Sequence, residues 1–176
     1  MLIRPSNKEY AAHFQRYVDL VPEGDIRKAL EQSLKITTEM YAAFTEERGS
    51  YRYAPEKWSL KQVLGHVTDN ERIMGYRALR IARGDRTQLA GYDENVFMSN
   101  ASFDEMPLTA IVDDYAAVRR ATLTLLSGIP DEAWTRRGVV AGNESSARAW
   151  IYIIAGHELH HLNVIRERYS AATGER

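Results

Sequence analysis

Apolar residues recur at intervals of three and four along four long stretches of the chain, the spacing of helices that bury one face. In the first, over 25–47, Ile26, Leu30, Leu34, Thr37, Tyr41 and Phe44 share a face, and Gly49 follows. Ser59 and Gln62 form a capping box that opens a second helix reaching about Arg83, where Gly84 provides a stop. Pro107 suits the first turn of a third, which continues over 110–126 before Gly128 and Pro130. Ser145 or Ser146 caps the last, expected to run to Ala172. A further capping box, Ser6 to Glu9, predicts a short helix through Leu20, ahead of Pro22 and Gly24. Residues 86–101 read as a loop with one helical turn, long enough to wall an active site, and 136–144 read as a plain connection. No segment alternates with period two. The expected fold is therefore all-α, an antiparallel four-helix bundle with short extra helices, in which residues 1–176 form a single domain.

The last helix carries an anomaly. At about 100° per residue, His157 and His161 lie about 40° apart in the middle of its apolar face, among Trp150, Ile153, Ile154, Val164 and Ile165. Residues four apart on a helix bring two imidazoles within reach of one metal ion. Burying two unpaired polar rings is costly, and a shared metal offsets the cost for both. His160 falls at the edge of the face, and His13 has no second ligand at helical spacing, so neither is expected to bind. On the second helix His66 faces the core with Val63, Val67 and Met74. Asn70 shares its arc and Asp69 lies just outside it, which makes either a candidate hydrogen-bond partner for a ligating imidazole. Facing bundle helices thus predict a site of His66, His157 and His161. Three imidazoles with a position left open suit catalytic zinc, and nickel, iron, cobalt and manganese accept the same donors.

Composition narrows the possibilities. Lys and Arg number 23 against 24 Asp and Glu, with no basic tract, so neither nucleic acid nor an anionic membrane is an expected partner. There is no cysteine, hence no disulfide, thiolate ligand or cysteine nucleophile. The N-terminal residues lack the apolar core of a signal peptide and no apolar run approaches about 20 residues, which points to a cytoplasmic protein.

His157-Glu158-Leu159-His160-His161 spells H-E-x-x-H, the helix signature of zinc proteases with Glu158 as base. The context is wrong: the extended signature needs Gly and His where Val164 and Glu167 stand. Glu158, about 100° from His157, is expected at the flank of the helix, away from the metal.

Three segments, WSLKQVLGHVTDNER around His66, GYDENVF in the loop and GHELHHLNVIRERY at the end, resemble the DinB superfamily, in particular its YfiT-like branch of metal-dependent hydrolases and thiol transferases. The resemblance spans nearly the whole chain. It implies a four-helix bundle and a divalent metal, often zinc or nickel, with His66, His157 and His161 at the three ligand positions. It also implies frequent homodimers and reactions that use a low-molecular-weight thiol such as bacillithiol, mycothiol or glutathione. The resulting expectation is a metalloenzyme acting on a small-molecule substrate. The rival is a metal-binding structural or sensing bundle without turnover, and a zinc protease is third.

Overall fold

In a computed structural model, which describes residues 2–169, the four long helices are α2 (Ile26–Ala42), α4 (Leu60–Ala82), α6 (Leu108–Ser127) and α7 (Ala147–Arg168). Shorter helices α1 (Gln15–Val18), α3 (Glu46–Gly49) and α5 (Glu94–Ser99) occupy the connections, and a hairpin of β1 (Arg137–Val140) and β2 (Asn143–Ser146) precedes α7. The four-helix bundle expected from the periodicity is present. Among the described residues no helix is long and apolar enough to cross a membrane.

Several boundaries follow from local chemistry. The Ser59–Gln62 capping box forms in both directions, and Ser146 caps α7 by accepting from the Ala149 N–H. The first long helix stops earlier than expected. Thr45 takes an extended conformation and its hydroxyl accepts from the Arg48 N–H, so it starts a separate helix, α3, rather than continuing α2. Ser6 and Glu9 bond to each other but open no helix: the Ser6 hydroxyl donates to the Glu9 carboxylate, which Arg148 also holds, and the Glu9 N–H donates to the Ser6 carbonyl in place of the hydroxyl. α7 is helical through Arg168, and the expected end at Ala172 lies outside the described residues.

The expectation of a purely helical chain needs one correction. Residues 137–146 form an antiparallel hairpin, turned by Ala141 and Gly142 with φ of 49° and 79°. Two consecutive left-handed residues match the twist of the flanking strands. Four residues per strand are too few to show a period. Leu89 bridges to Val140, so the hairpin also holds the long connection that follows α4.

The chain path is set by that connection. α4 and α7 run antiparallel: the Tyr169 hydroxyl donates to the Trp58 carbonyl at 2.7 Å, and at the other end Arg77 stacks over Trp150 at 4.9 Å. α2 and α6 are also antiparallel, with Arg27 reaching Ser127. α4 and α6 instead run parallel, since Lys61 bonds to the Met106 carbonyl at their starts and Arg83 to the Gly128 carbonyl at their ends. The segment between them must therefore return along the bundle, about 34 Å for a helix of this length. This is the physical reason for the long 86–107 connection.

At the centre, Arg119 on α6 is completely buried. Its guanidinium donates to both oxygens of Glu71 on α4, to Glu158 on α7 at 2.7 Å, and to Ser33 on α2 at 2.5 Å. The Glu158 carboxylate also accepts from Ser33, Thr37 and the Tyr115 hydroxyl. Burial by itself would raise the Glu158 carboxyl, but Arg119 and these hydroxyls bring it below its ordinary range. Glu158 thus lies in the core rather than at the flank of its helix. Its carboxylate points into this network.

A second close contact fixes α1. The backbone of Tyr17 lies so near Gly156 that a Cβ there would sit 1.9 Å from the Tyr17 carbonyl oxygen. Backbone cannot move aside as a flexible side chain can, so Gly156→Ala should cost about 3 kcal/mol or more, at the upper end for overpacking. Thermal melting should show a loss of roughly 6–12 °C, and an unchanged midpoint would contradict the contact. Arg119→Met should leave two buried carboxylates without a counter-charge and cost about 3–5 kcal/mol. Denaturant unfolding measures this, and a loss under about 1 kcal/mol would show that the network is dispensable.

Candidate metal centre

The three histidines singled out by helical spacing converge. His66 Nε2 lies 3.0 Å from His157 Nε2, which lies 3.2 Å from His161 Nε2, and the three ligand atoms all fall within 4.8 Å of one another. α4 supplies the first and α7 the other two. A glycine immediately precedes His66 and His157, and each glycine admits a neighbouring segment. A Cβ at Gly65 would meet the Phe103 ring at 2.6 Å, and Gly156 admits the Tyr17 backbone. The Trp58 ring packs on His66 at 4.7 Å between centroids, and the Tyr17 ring meets His157 edge-on at 5.3 Å. His66 and His157 are each only 4% exposed.

This environment keeps the imidazoles uncharged. Burial draws His66 down to about 4, and burial together with His66, His160 and Arg16 draws His161 to about 3. His157 lies well below the ordinary histidine range, through burial first and then its histidine neighbours and Arg16. A neutral ring nitrogen can donate or accept one hydrogen bond, so His157 Nε2 cannot satisfy both neighbours at once. A cation at the convergence point engages all three lone pairs. Metal–nitrogen bonds of about 2.0–2.1 Å place ligand nitrogens about 2.8 to 3.4 Å apart between octahedral and tetrahedral arrangements, and the separations of 3.0 and 3.2 Å fall in that range. The donor set fits zinc, nickel and similar divalent ions.

The other candidates lie elsewhere. His160 is half-buried, packs against Tyr17 at 5.6 Å and is outside the cluster, and His13 stacks on Phe14 at 4.0 Å. Asp69 accepts from Arg72, which also pairs with Asp114. Asn70 donates to the Tyr92 hydroxyl at 2.6 Å. Neither residue hydrogen bonds to a histidine, so the supporting role expected for them is not what their contacts show. Arg119, which orients Glu158 beside His157, and Glu71, its other carboxylate partner, carried no signal in the sequence, because an isolated charge in an amphipathic helix reads as solvent-exposed.

His157 borders a cavity of about 220 Å³ walled by Tyr17, Asn70, Arg77, Tyr92 and Trp150, with the hairpin at Val140 closing one side. Gly91 and Tyr92 place the 86–101 segment in that wall, as its length suggested. A second cavity, of about 300 Å³, adjoins His160 and His161 on the side of Tyr53 and Trp58. His157 thus lines one cavity and His161 the other.

Comparison with known proteins agrees with this architecture. The fold is similar to that of YfiT from Bacillus subtilis, described as a probable metal-dependent hydrolase with an unusual four-helix bundle topology. The TM-score is 0.69 at 14% identity, covering 97% of this chain and 93% of that one. It is also similar to YjoA, a DinB-like protein of Bacillus subtilis, with a TM-score of 0.62 at 16% identity, covering 87% of this chain and 95% of that one. No curated protein sequence matches significantly. The sequence profile of the DinB superfamily matches residues 29–165, which takes in all four bundle helices nearly complete and all three clustered histidines, and the chain therefore belongs to the DinB superfamily.

Proposed function

We propose that the protein is a metal-dependent enzyme in which His66, His157 and His161 hold one divalent ion, zinc or nickel, beside a cavity for a small-molecule substrate. The reaction is transfer of a low-molecular-weight thiol, or hydrolysis. The observation that carries this reading is the convergence of three uncharged imidazoles, His66 and His157 buried and His161 half-buried, where His157 borders the cavity. A divalent ion bound there supplies Lewis acidity, which makes water or a thiol a nucleophile near neutral pH. Burial keeps the imidazoles free of protons, and the rings of Tyr17 and Trp58 cover the flanks of His157 and His66. The second cavity beside His161 offers a separate approach, which suits a reaction between two small molecules. A structural metal site would need neither cavity. The description of YfiT as a probable metal-dependent hydrolase agrees with the reading. With its carboxylate engaged by Arg119 and three hydroxyls, Glu158 is not placed as the base of a protease.

Protein purified without an affinity tag should carry about one equivalent of metal, and His66→Ala, His157→Ala and His161→Ala should each lower that to roughly a tenth or less. His160→Ala should retain it. Elemental analysis decides, and full metal in His66→Ala would dismantle the site. A panel of thiols with an electrophilic aryl halide, run beside ester and amide substrates, then separates transfer from hydrolysis. Absence of turnover in the metal-loaded protein across such panels would favour the non-catalytic alternative.

The metal-free protein should be sensitive to acid. Histidine in the unfolded chain titrates at about 6.5, against about 4 for His66 and about 3 for His161 in the fold. On acidification the unfolded chain takes up protons first. The stability contributed by these rings is therefore complete above about pH 6.5 and declines as the pH falls toward 4. The lowered Glu158 carboxyl adds a further loss below the ordinary carboxylate range. Thermal midpoints of metal-free protein should fall between about pH 7 and 4.5, and stoichiometric zinc should delay the fall to lower pH. A midpoint unchanged down to about pH 5 would mean that the rings are not buried in the neutral form.

A further inference from the structure

Arg77 lines the cavity beside His157 and is only 4% exposed. Its position contrasts with that of Arg119, which meets two carboxylates. Among the described residues Arg77 forms no ion pair: Nη2 donates to the Ala90 carbonyl at 2.9 Å, and Nη1 faces the Met74 sulfur, a weak acceptor, at 3.3 Å. Its Cζ lies over the Trp150 ring, 4.9 Å from the centroid, and over that of Tyr92 at 5.7 Å. A guanidinium has five donors in a planar fork suited to a carboxylate, and burying its charge without a counter-ion is costly. Burial indeed pulls Arg77 below the ordinary arginine range, with only Tyr92 opposing.

Asn70, also 4% exposed, lines the same cavity. Its Nδ2 is taken by the Tyr92 hydroxyl, and its Oδ1 is buried without a partner. A half-turn of the amide lets Tyr92 donate to Oδ1 and frees Nδ2 as a donor instead. Arg16 and His13 add positive or neutral groups at the exposed rim, where Glu94 is the one lining carboxylate and forms no pair with Arg77. Phe14, Tyr17, Trp150 and Ile153 give the rest of the wall an aromatic and aliphatic side, with Asn143 and Ser145 as its further polar side chains. At about 220 Å³ the space is below the usual range for drug-sized ligands.

We propose that this cavity binds a small carboxylate with a flat apolar body, its anionic end on Arg77 with Asn70 assisting, and its body against Phe14, Tyr17 and Trp150 toward His157. That this carboxylate is the substrate rests on the metal-centred function above; the anion site itself needs no metal.

The test is calorimetric titration of metal-stripped protein with benzoate and with benzyl alcohol, a neutral compound of similar shape. Benzoate should bind at least about tenfold more tightly than the alcohol, and Arg77→Gln should weaken benzoate at least about tenfold while leaving the alcohol within about twofold. Arg77→Lys, which keeps the charge but loses the fork, should fall between. Circular dichroism checks the fold of each variant. If Arg77→Gln does not fold, the ratio of benzoate to benzyl alcohol on the unmodified protein still decides. Equal affinities, undiminished benzoate binding in Arg77→Gln, or no benzoate binding up to about 10 mM would overturn the anion site. Benzoate binding that requires added zinc would also overturn it, by making the carboxylate a metal ligand, and would leave the metal reading intact. Conversely, benzoate binding by a protein that takes up no zinc would sustain the anion site and remove its role as a substrate site in a metalloenzyme.

Discussion

One buried cation holds the four long helices in register. The Arg119 guanidinium reaches a carboxylate on α4, a carboxylate on α7 and a hydroxyl on α2, and every one of these groups is buried. Hydrocarbon packing tolerates small slides and rotations, because one apolar contact replaces another at little cost. A charge in a low-dielectric interior does not, since losing one partner leaves an uncompensated ion. The network therefore fixes the rotation of each helix about its own axis. That matters most for α7, where Glu158 and His157 are adjacent residues: holding the Glu158 carboxylate toward Arg119 aims His157 and His161 at α4.

The same helix thus serves two polar purposes on neighbouring faces and is buried along most of its length. Close approach is what makes this possible. Gly156 admits the α1 backbone and Gly65 admits the Phe103 ring, each one residue before a clustered histidine. Packed among these rings, His66 and His157 are buried, and burial is the main reason that the imidazoles stay uncharged.

The contrast between Arg119 and Arg77 separates structure from function. Both are buried arginines of the bundle. The first has its charge matched within the fold, as a structural group must. The second lies in a cavity wall against a carbonyl, a sulfur and two aromatic rings, with no ion pair among the described residues, and its charge is the one assigned above to a bound carboxylate.

What the sequence by itself determined is the part carried by local periodicity. The four helices, the Ser59–Gln62 cap, and the placement of His66, His157 and His161 on core-facing stripes all depend on residues within a few positions of one another. The spacing of His157 and His161 was legible because a helix fixes the geometry of residues four apart. The tertiary structure alone decided the features that join distant segments. Glu158 reads as a flank residue until Arg119, 39 positions away, is seen to neutralise it. The 137–146 hairpin is too short to show a period and exists through its pairing across the Ala141–Gly142 turn and its bridge to Leu89. The parallel course of α4 and α6, and the cavity that α1, α4, the hairpin and the crossing segment enclose, depend on which faces meet. A one-dimensional pattern marks a residue as facing inward, but it does not say what it will face.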